Sequence, residues 1–191
     1  MKYKIIKTDS IETGCVTLYR IKALKDFGGV KKGDLGGYIE KESNLSQEGN
    51  CWVSGDALVS GDALVSGNAR VYEDARVYGD AWVCGNSRVY GKARVYEDAR
   101  VYGDVWICGN AQVCGNARVS GNASVYEDAR VYGDAWVYGD VWICGNARVY
   151  ENARVYGKAQ VFGNVSVYGD AQVFGNASVY GNAQVSGGVV C

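Results

Sequence analysis

The chain has 191 residues, with 20 Lys and Arg against 21 Asp and Glu, seven Cys, no Pro and no His, for a formal net charge of −1. This balance, without a long charge run, points to one soluble domain expected in the cytoplasm; no apolar stretch is long enough for a membrane helix, and Met1 to Lys7 is too short and too charged for a signal peptide. The missing imidazole and the lack of any CxxC pair leave no ligand set for zinc, and no cofactor is expected.

Residues 1–48 differ in texture from the rest, holding nine basic residues against seven acids. Tyr3 to Lys7 and Cys15 to Leu24 read as strands separated by a polar Thr8 to Gly14 turn, and Lys31-Lys32-Gly33-Asp34 reads as a further turn. Carried backward into this stretch, the spacing of the later repeats places Leu35, Ile39 and Leu45 inward but also Lys41 and Gln47. Residues 1–48 are therefore expected to form an N-terminal β cap and an imperfect first coil, ahead of a repeat unit spanning 49–191.

From Gly49 a six-residue phrase, Gly-Asn/Asp-Ala-Arg-Val-Tyr with variations, runs without a break in register to Ser186. Its Val slot holds Val or Ile at all 23 positions, and the slot two residues earlier holds Ala at 18 of 23, with Cys51, Ser87, Val105, Val141 and Val165 as the exceptions. Alternation within Ala-Arg-Val-Tyr sends Ala and Val to one side and Arg and Tyr to the other, the period of a half-buried strand. The polar pair between strands is a corner, too short for a loop. Because Glu replaces Gly at 73, 97, 127 and 151, the second corner residue is expected to carry positive φ, with strain or a shifted corner at Lys92 and Lys158.

A four-residue strand and a two-residue corner cannot reverse as a hairpin and keep every Val on one side, so the chain must coil. Three such sides make the smallest prism with an interior, giving 18 residues per turn and nearly eight turns, about 37 Å of rod at the usual strand spacing. One buried Val contributes roughly 1.5–3 kcal/mol, whereas ordering each backbone residue costs roughly 1–2 kcal/mol, so stability must come from stacking. The last residues, Gly187-Gly188-Val189-Val190-Cys191, stop in mid-repeat, and end-to-end pairing with another copy is an expectation there.

The pairs Val71 with Ala75, Val77 with Ala81 and Val95 with Ala99 resemble the hexapeptide-repeat left-handed parallel β-helix, an all-β fold whose handedness is implied by that resemblance. The block from Leu18 to Phe27, then Gly33 to Ile39 and Asn44 to Gln47, is similar to the opening of YdcK-like bacterial and phage hexapeptide-repeat proteins, a family described as acyltransferases. A phage or prophage setting follows as an expectation from the same resemblance. Acyltransferases of this architecture generally use a His as general base, and carbonic anhydrases on the same helix hold zinc with three His. Neither role transfers to any position here.

Among outward residues, one side of the prism collects Arg76, Arg94, Arg130 and Arg148 beside Tyr78, Tyr96, Tyr132 and Tyr150. Such a stripe has the residue types to hold a nucleic acid, but 14 acids against 11 bases in the repeats favour local ion pairs and stacked ladders. Cys84, Cys108, Cys114 and Cys144 take the outward Tyr position, and free thiols are expected because Cys108 and Cys144 lie two turns apart. Five Trp fall on the other two sides, Trp52, Trp106 and Trp142 on one and Trp82 and Trp136 on the other. Trp106, Trp142, Trp82 and Trp136 are the candidate interface. The expected function is a non-catalytic scaffold or protein-interaction module whose partner is itself or another protein. The alternative is an acyltransferase that takes acetyl-CoA without the usual base.

Overall fold

In the computed structural model, which describes residues 1–191, the repeats form a β-solenoid of about eight stacked coils with three parallel faces. Each face is a ladder in which a Val meets the Val 18 residues on, as Val53 meets Val71, Val77 meets Val95 and Val83 meets Val101. Nearly all inward Val, Ile and Ala side chains are wholly buried in one continuous core. The exceptions to Ala fit the same slot: Ser87 is buried because its hydroxyl donates to the Cys84 carbonyl at 2.7 Å, and Cys51 fills its slot completely.

The first three strands, β1 (Tyr3–Thr13), β2 (Val16–Ala23) and β3 (Leu35–Ile39), pair antiparallel and continue one of the three faces. The first strand runs past the expected turn: β1 pairs through Thr13 opposite Val16, with a bulge between Ile6 and Ser10 absorbing the polar residues, and the turn is confined to Gly14 and Cys15. The Lys31 to Asp34 turn is present, closed by the Asp34 carboxylate accepting from the Lys31 N–H at 2.8 Å.

The backward extension of the register is corrected by two residues. Ile39 meets Val59 and Leu45 meets Val65, so this first turn takes 20 residues where the following ones take 18 and the last, from Val173 to Val190, takes 17. Ile39 and Leu45 enter the core, while Leu35 is 55% exposed. The extra pair accommodates a short 3-10 turn at Glu42–Asn44 and moves Lys41 and Gln47 off the axis. Lys41 then pairs with Asp62 at 2.5 Å, and the Gln47 side-chain carbonyl accepts from the Lys2 N–H at 2.7 Å.

The open end of the core meets an unexpected occupant. Lys2 is 1% exposed, and its ammonium donates to the carbonyls of Cys51 at 3.0 Å, Glu48 at 3.2 Å and Gly49 at 3.4 Å, with the Phe27 ring 5.0 Å away. A buried cation is tolerable only with such a set of acceptors. Tyr3 lies beside it, its hydroxyl donating to the Leu45 carbonyl at 2.7 Å, and burial pushes this phenol far above its ordinary value.

Candidate interaction surface

The corners hold the coils in phase. Positive φ falls on the first corner residue, not the second: Gly85 has φ 72° and a Cβ there would lie 2.6 Å from the Gly103 nitrogen of the next coil. Glu73, Glu97, Glu127 and Glu151 occupy the same left-handed conformation at φ 58–62°. Each of these carboxylates reaches one coil onward to accept a backbone N–H, from Gly91 at 2.7 Å, Gly115 at 2.6 Å, Gly145 at 2.6 Å and Gly169 at 2.8 Å. A charge-assisted hydrogen bond of about 1.5–3 kcal/mol offsets the roughly 1–2 kcal/mol of left-handed strain. Asn and Asp at the second corner position form ladders, Asn50 to Asn68 to Asn86 to Asp104 at 3.2, 3.0 and 2.7 Å. Lys92 and Lys158 have ordinary φ, and their N–H groups stay in register, donating to Gly109 and Gly175 at 2.8 and 2.7 Å. Neither the strain nor the shift expected there occurs.

One face carries Arg76, Arg94, Arg130 and Arg148 in a column interrupted by Gln112. The neighbouring tyrosines stack, Tyr78 on Tyr96 at 4.9 Å and Tyr132, Tyr150 and Tyr168 in succession at 4.9 and 5.1 Å. Burial raises the Tyr78 and Tyr132 phenols and the Cys114 thiol that interrupts the tyrosine column. The expected ladders are present, but the expected ion pairs are not: the molecule's three salt bridges, Arg20 with Asp9, Lys31 with Asp26 and Lys41 with Asp62, all involve residues 1–62.

The second face carries Trp82 and Trp136, 45% and 41% exposed. Both indoles are engaged within the chain. Trp82 donates its ring N–H to the Ser66 hydroxyl at 3.1 Å, and Trp136 lies between the guanidinium groups of Arg118 at 4.9 Å and Arg154 at 5.6 Å.

The third face is different. Trp52 is buried under the N-terminal segment, edge-on to Phe27 at 5.4 Å, so it does not belong with the exposed indoles on this side. Arg70 donates to the Gly28 carbonyl, fixing the loop after Phe27 over this end of the face. Further along the same column stand Arg88, Trp106, Ser124, Trp142 and Gln160, each paired with the next. Trp106 is 46% exposed with the Arg88 guanidinium 5.2 Å from its ring, whereas Trp142 is 53% exposed and has neither ring nor cation against it. The parallel column runs Cys108, Tyr126, Cys144 and Phe162; the Cys144 thiol, then burial, pushes the Tyr126 phenol up to about 12. Residues 101–111 and 137–147 are the same eleven residues, and the coil between them puts Ser120 and Ser124 where both neighbours have Tyr and Trp. All seven cysteines are free, and no three Cys, Asp or Glu side chains converge as metal ligands would.

The profile of the YdcK β-solenoid repeat matches at residues 65–79, 69–85, 93–109, 111–127, 129–145, 142–157 and 171–187, together more than half of the chain. The chain belongs to the YdcK β-solenoid repeat family. No curated protein matches this family member in sequence. Among solved structures it is similar to the acetyltransferase domain of PglB from Neisseria gonorrhoeae FA1090, at 17% identity and a TM-score of 0.41, covering 72% of this chain and 54% of that one. The same domain in complex with acetyl coenzyme A is similar at 16% identity and a TM-score of 0.42, covering 74% and 57%. The chain thus spans little more than half the length of those domains. No helix of this YdcK-type solenoid is long and apolar enough to cross a membrane.

Proposed function

We propose that this YdcK-type solenoid is a scaffold that works by presenting side chains to another polypeptide, without chemistry on a small substrate. The observation that carries the reading is Trp142, a half-exposed indole with no partner in its own chain, standing on a rigid ladder next to a serine. Trp142 stands on a face that also exposes Trp106 and Phe162, and a cluster of large exposed rings is a surface that another protein can cover. The backbone of every face is already paired along the axis, so recognition has to come from side chains. From Val53 to Val185 the 18-residue register runs without an inserted loop that could enclose a small molecule, which normally buries most of its own surface in its site.

Acyl transfer from acetyl-CoA is the alternative carried by the family's description. Titration of the full chain with acetyl-CoA and with CoA by calorimetry separates the two. The scaffold reading expects no saturable heat in the micromolar range, and saturable binding there, with acetyl transfer to an amine or hydroxyl acceptor, would replace it.

A further inference from the structure

We propose that the second face binds single-stranded nucleic acid, with one base inserted between the Tyr102 and Tyr138 rings above Ser120 and the neighbouring phosphates on Arg100, Arg118 and Arg154. The inference goes beyond the scaffold reading and concerns a different face from that of Trp142.

The slot is a missing rung in a stack. Past Ser120 the outward rings follow one another without a break, Tyr138 on Tyr156 at 4.9 Å and Tyr156 on Phe174 at 5.0 Å, with planes 2° and 8° from parallel. Tyr102 and Tyr138 are each paired in register with Ser120, so these two rings stand two rungs apart, roughly 9.6 Å. A flat ring above Ser120 meets both at the pitch the ladder already accepts. Tyr102 and Tyr138 are 43% and 40% exposed, and the cleft they share, about 270 Å³, is also lined by Arg118, Ser120, Trp136 and Arg154. Its floor is firm: Arg100–Gly103, Arg118–Gly121, Trp136–Gly139 and Arg154–Gly157 are strands of four residues, where the other strands of the array have two. The comparable break at Cys114 on the first face is narrower, because Tyr96 leans onto that coil and its hydroxyl donates to the Gln112 side chain at 3.3 Å.

The rim of the slot suits a phosphate chain. Arg118 and Arg154 lie against Trp136 at 4.9 and 5.6 Å, which orders their guanidinium groups, yet neither they nor Arg100 take part in any of the three salt bridges. Arg100 continues the row one rung on, in an adjoining cleft of about 330 Å³ lined by Trp82, Cys84, Tyr102 and Arg118. No carboxylate lines either cleft. Asp104, Asp134 and Asp140 are held at the corners, accepting from Asn86, Asn116 and Asn122 at 2.7, 2.9 and 2.7 Å. The positive stretch ends past Arg154, where Asp134 and Asp170 line the next cleft. Along the strand the guanidinium row lies two residues from the slot, about 6.7 Å, a separation that a sugar spans between a base and its phosphate. The free polar groups of this row are donors, which a sugar-phosphate backbone can accept, whereas the amide N–H groups of a polypeptide would meet strands already paired. The clefts are open, so a strand that runs on to Arg100 and Trp82 gains contacts that a free nucleotide does not.

Fluorescence anisotropy of a labelled oligothymidylate of about 12 nucleotides, titrated with the full chain, tests the proposal. Saturable binding in the micromolar range at low salt is expected, with log K falling against log salt at a slope of about −2, the value for three arginines on a single strand. The same strand annealed to its complement should bind at least about tenfold more weakly, and thymidine monophosphate should compete only in the millimolar range. Ser120→Tyr completes the ring stack from within the chain; with its strand content confirmed by circular dichroism, it should weaken binding at least about tenfold. Arg118→Gln should lower the affinity and flatten the salt slope by about 0.7. The proposal is overturned by a strand that does not saturate, by the duplex or polyglutamate binding as tightly as the strand, by the monophosphate competing at micromolar concentration, or by Ser120→Tyr and Arg118→Gln binding like the wild type. The acetyl-CoA titration decides the scaffold reading separately.

Discussion

From Gly49 onward the molecule is held by contacts made over and over, a Val on a Val and a corner amide on a corner carbonyl every 18 residues. In residues 1–48 the decisive contacts are made once: Lys2 on three carbonyls, Tyr3 on Leu45, Asn44 on Gly61 and Ala63 at 3.0 and 2.9 Å, Arg20 on Asp9 at 2.9 Å. Both regions cover the same apolar axis. The difference shows that periodicity suffices to close a core sideways, whereas closing it at the N-terminal end takes side chains placed individually, because the first coil has carbonyls and apolar atoms with no preceding coil to meet them.

Substitutions should separate the two regimes. The largest effect is expected for Val119→Asp, which puts an unpaired carboxylate on the dry axis in mid-array; loss of more than about 4 kcal/mol, enough to abolish cooperative unfolding, should be seen in chemical denaturation. Next comes Lys2→Met, which keeps the apolar stem but strands the carbonyls of Glu48, Gly49 and Cys51. A cost of about 3 kcal/mol is expected, with hydrogen exchange rising first in residues 1–48 while the distant coils stay protected. Glu127→Ala, by contrast, removes one of many similar corner contacts and keeps the left-handed backbone, and about 1–2 kcal/mol should be lost; Glu127→Gly relieves the φ and should recover part of that.

The tyrosine ladders give the comparison a pH dependence. Tyr72, Tyr78, Tyr132 and Tyr150 are raised above the ordinary phenol value, first by burial, and all lie in the array. Since the folded state holds these protons more tightly than the unfolded chain, their contribution to stability is complete below about pH 10 and declines as the pH rises past it. Thermal melts between pH 8 and 12, with phenolate absorbance followed in parallel, should show the array losing stability only above about pH 10. A decline beginning near neutrality would contradict this. The smallest expected effect is at Cys84 and Cys114, whose thiols burial raises; their alkylation should follow a titration displaced above the usual thiol range without unfolding the protein.

The contrast also explains what could be read from the residues alone. Every Val and Ala of the hexads was legible as core, because one rule fixes them all, and so was the assignment of Trp106 and Trp142 to one side and Trp82 and Trp136 to another. Ile39 and Leu45 were legible as inward residues, but their partners were not, since the 20-residue first coil breaks the period ahead of the first regular hexad, where no repeat reports it. Lys2 gave no signal, as a lysine next to the first residue reads as solvent-exposed in any sequence. At the corners the Glu residues misled: Glu in a left-handed conformation is uncommon, and its compensation is a backbone amide one coil away. The candidate surface was legible as a set of four tryptophans, yet only the contacts show that Trp82 and Trp136 are occupied within the chain while Trp142 is free.

The 18-residue stacking on which the faces, ladders and candidate interface all depend can be tested by one cross-link. Asn116 donates to Asp134 at 2.9 Å across adjacent coils, and neighbouring strand spacing lies within the Cα separation a disulfide spans. The double variant Asn116→Cys/Asp134→Cys should oxidise to an intramolecular disulfide, identified by peptide mass mapping, whereas Asn116→Cys/Asp128→Cys, 12 residues apart and on a different corner, should not. Bridging of the 116–128 pair with the 116–134 pair left reduced would contradict the three-sided coil.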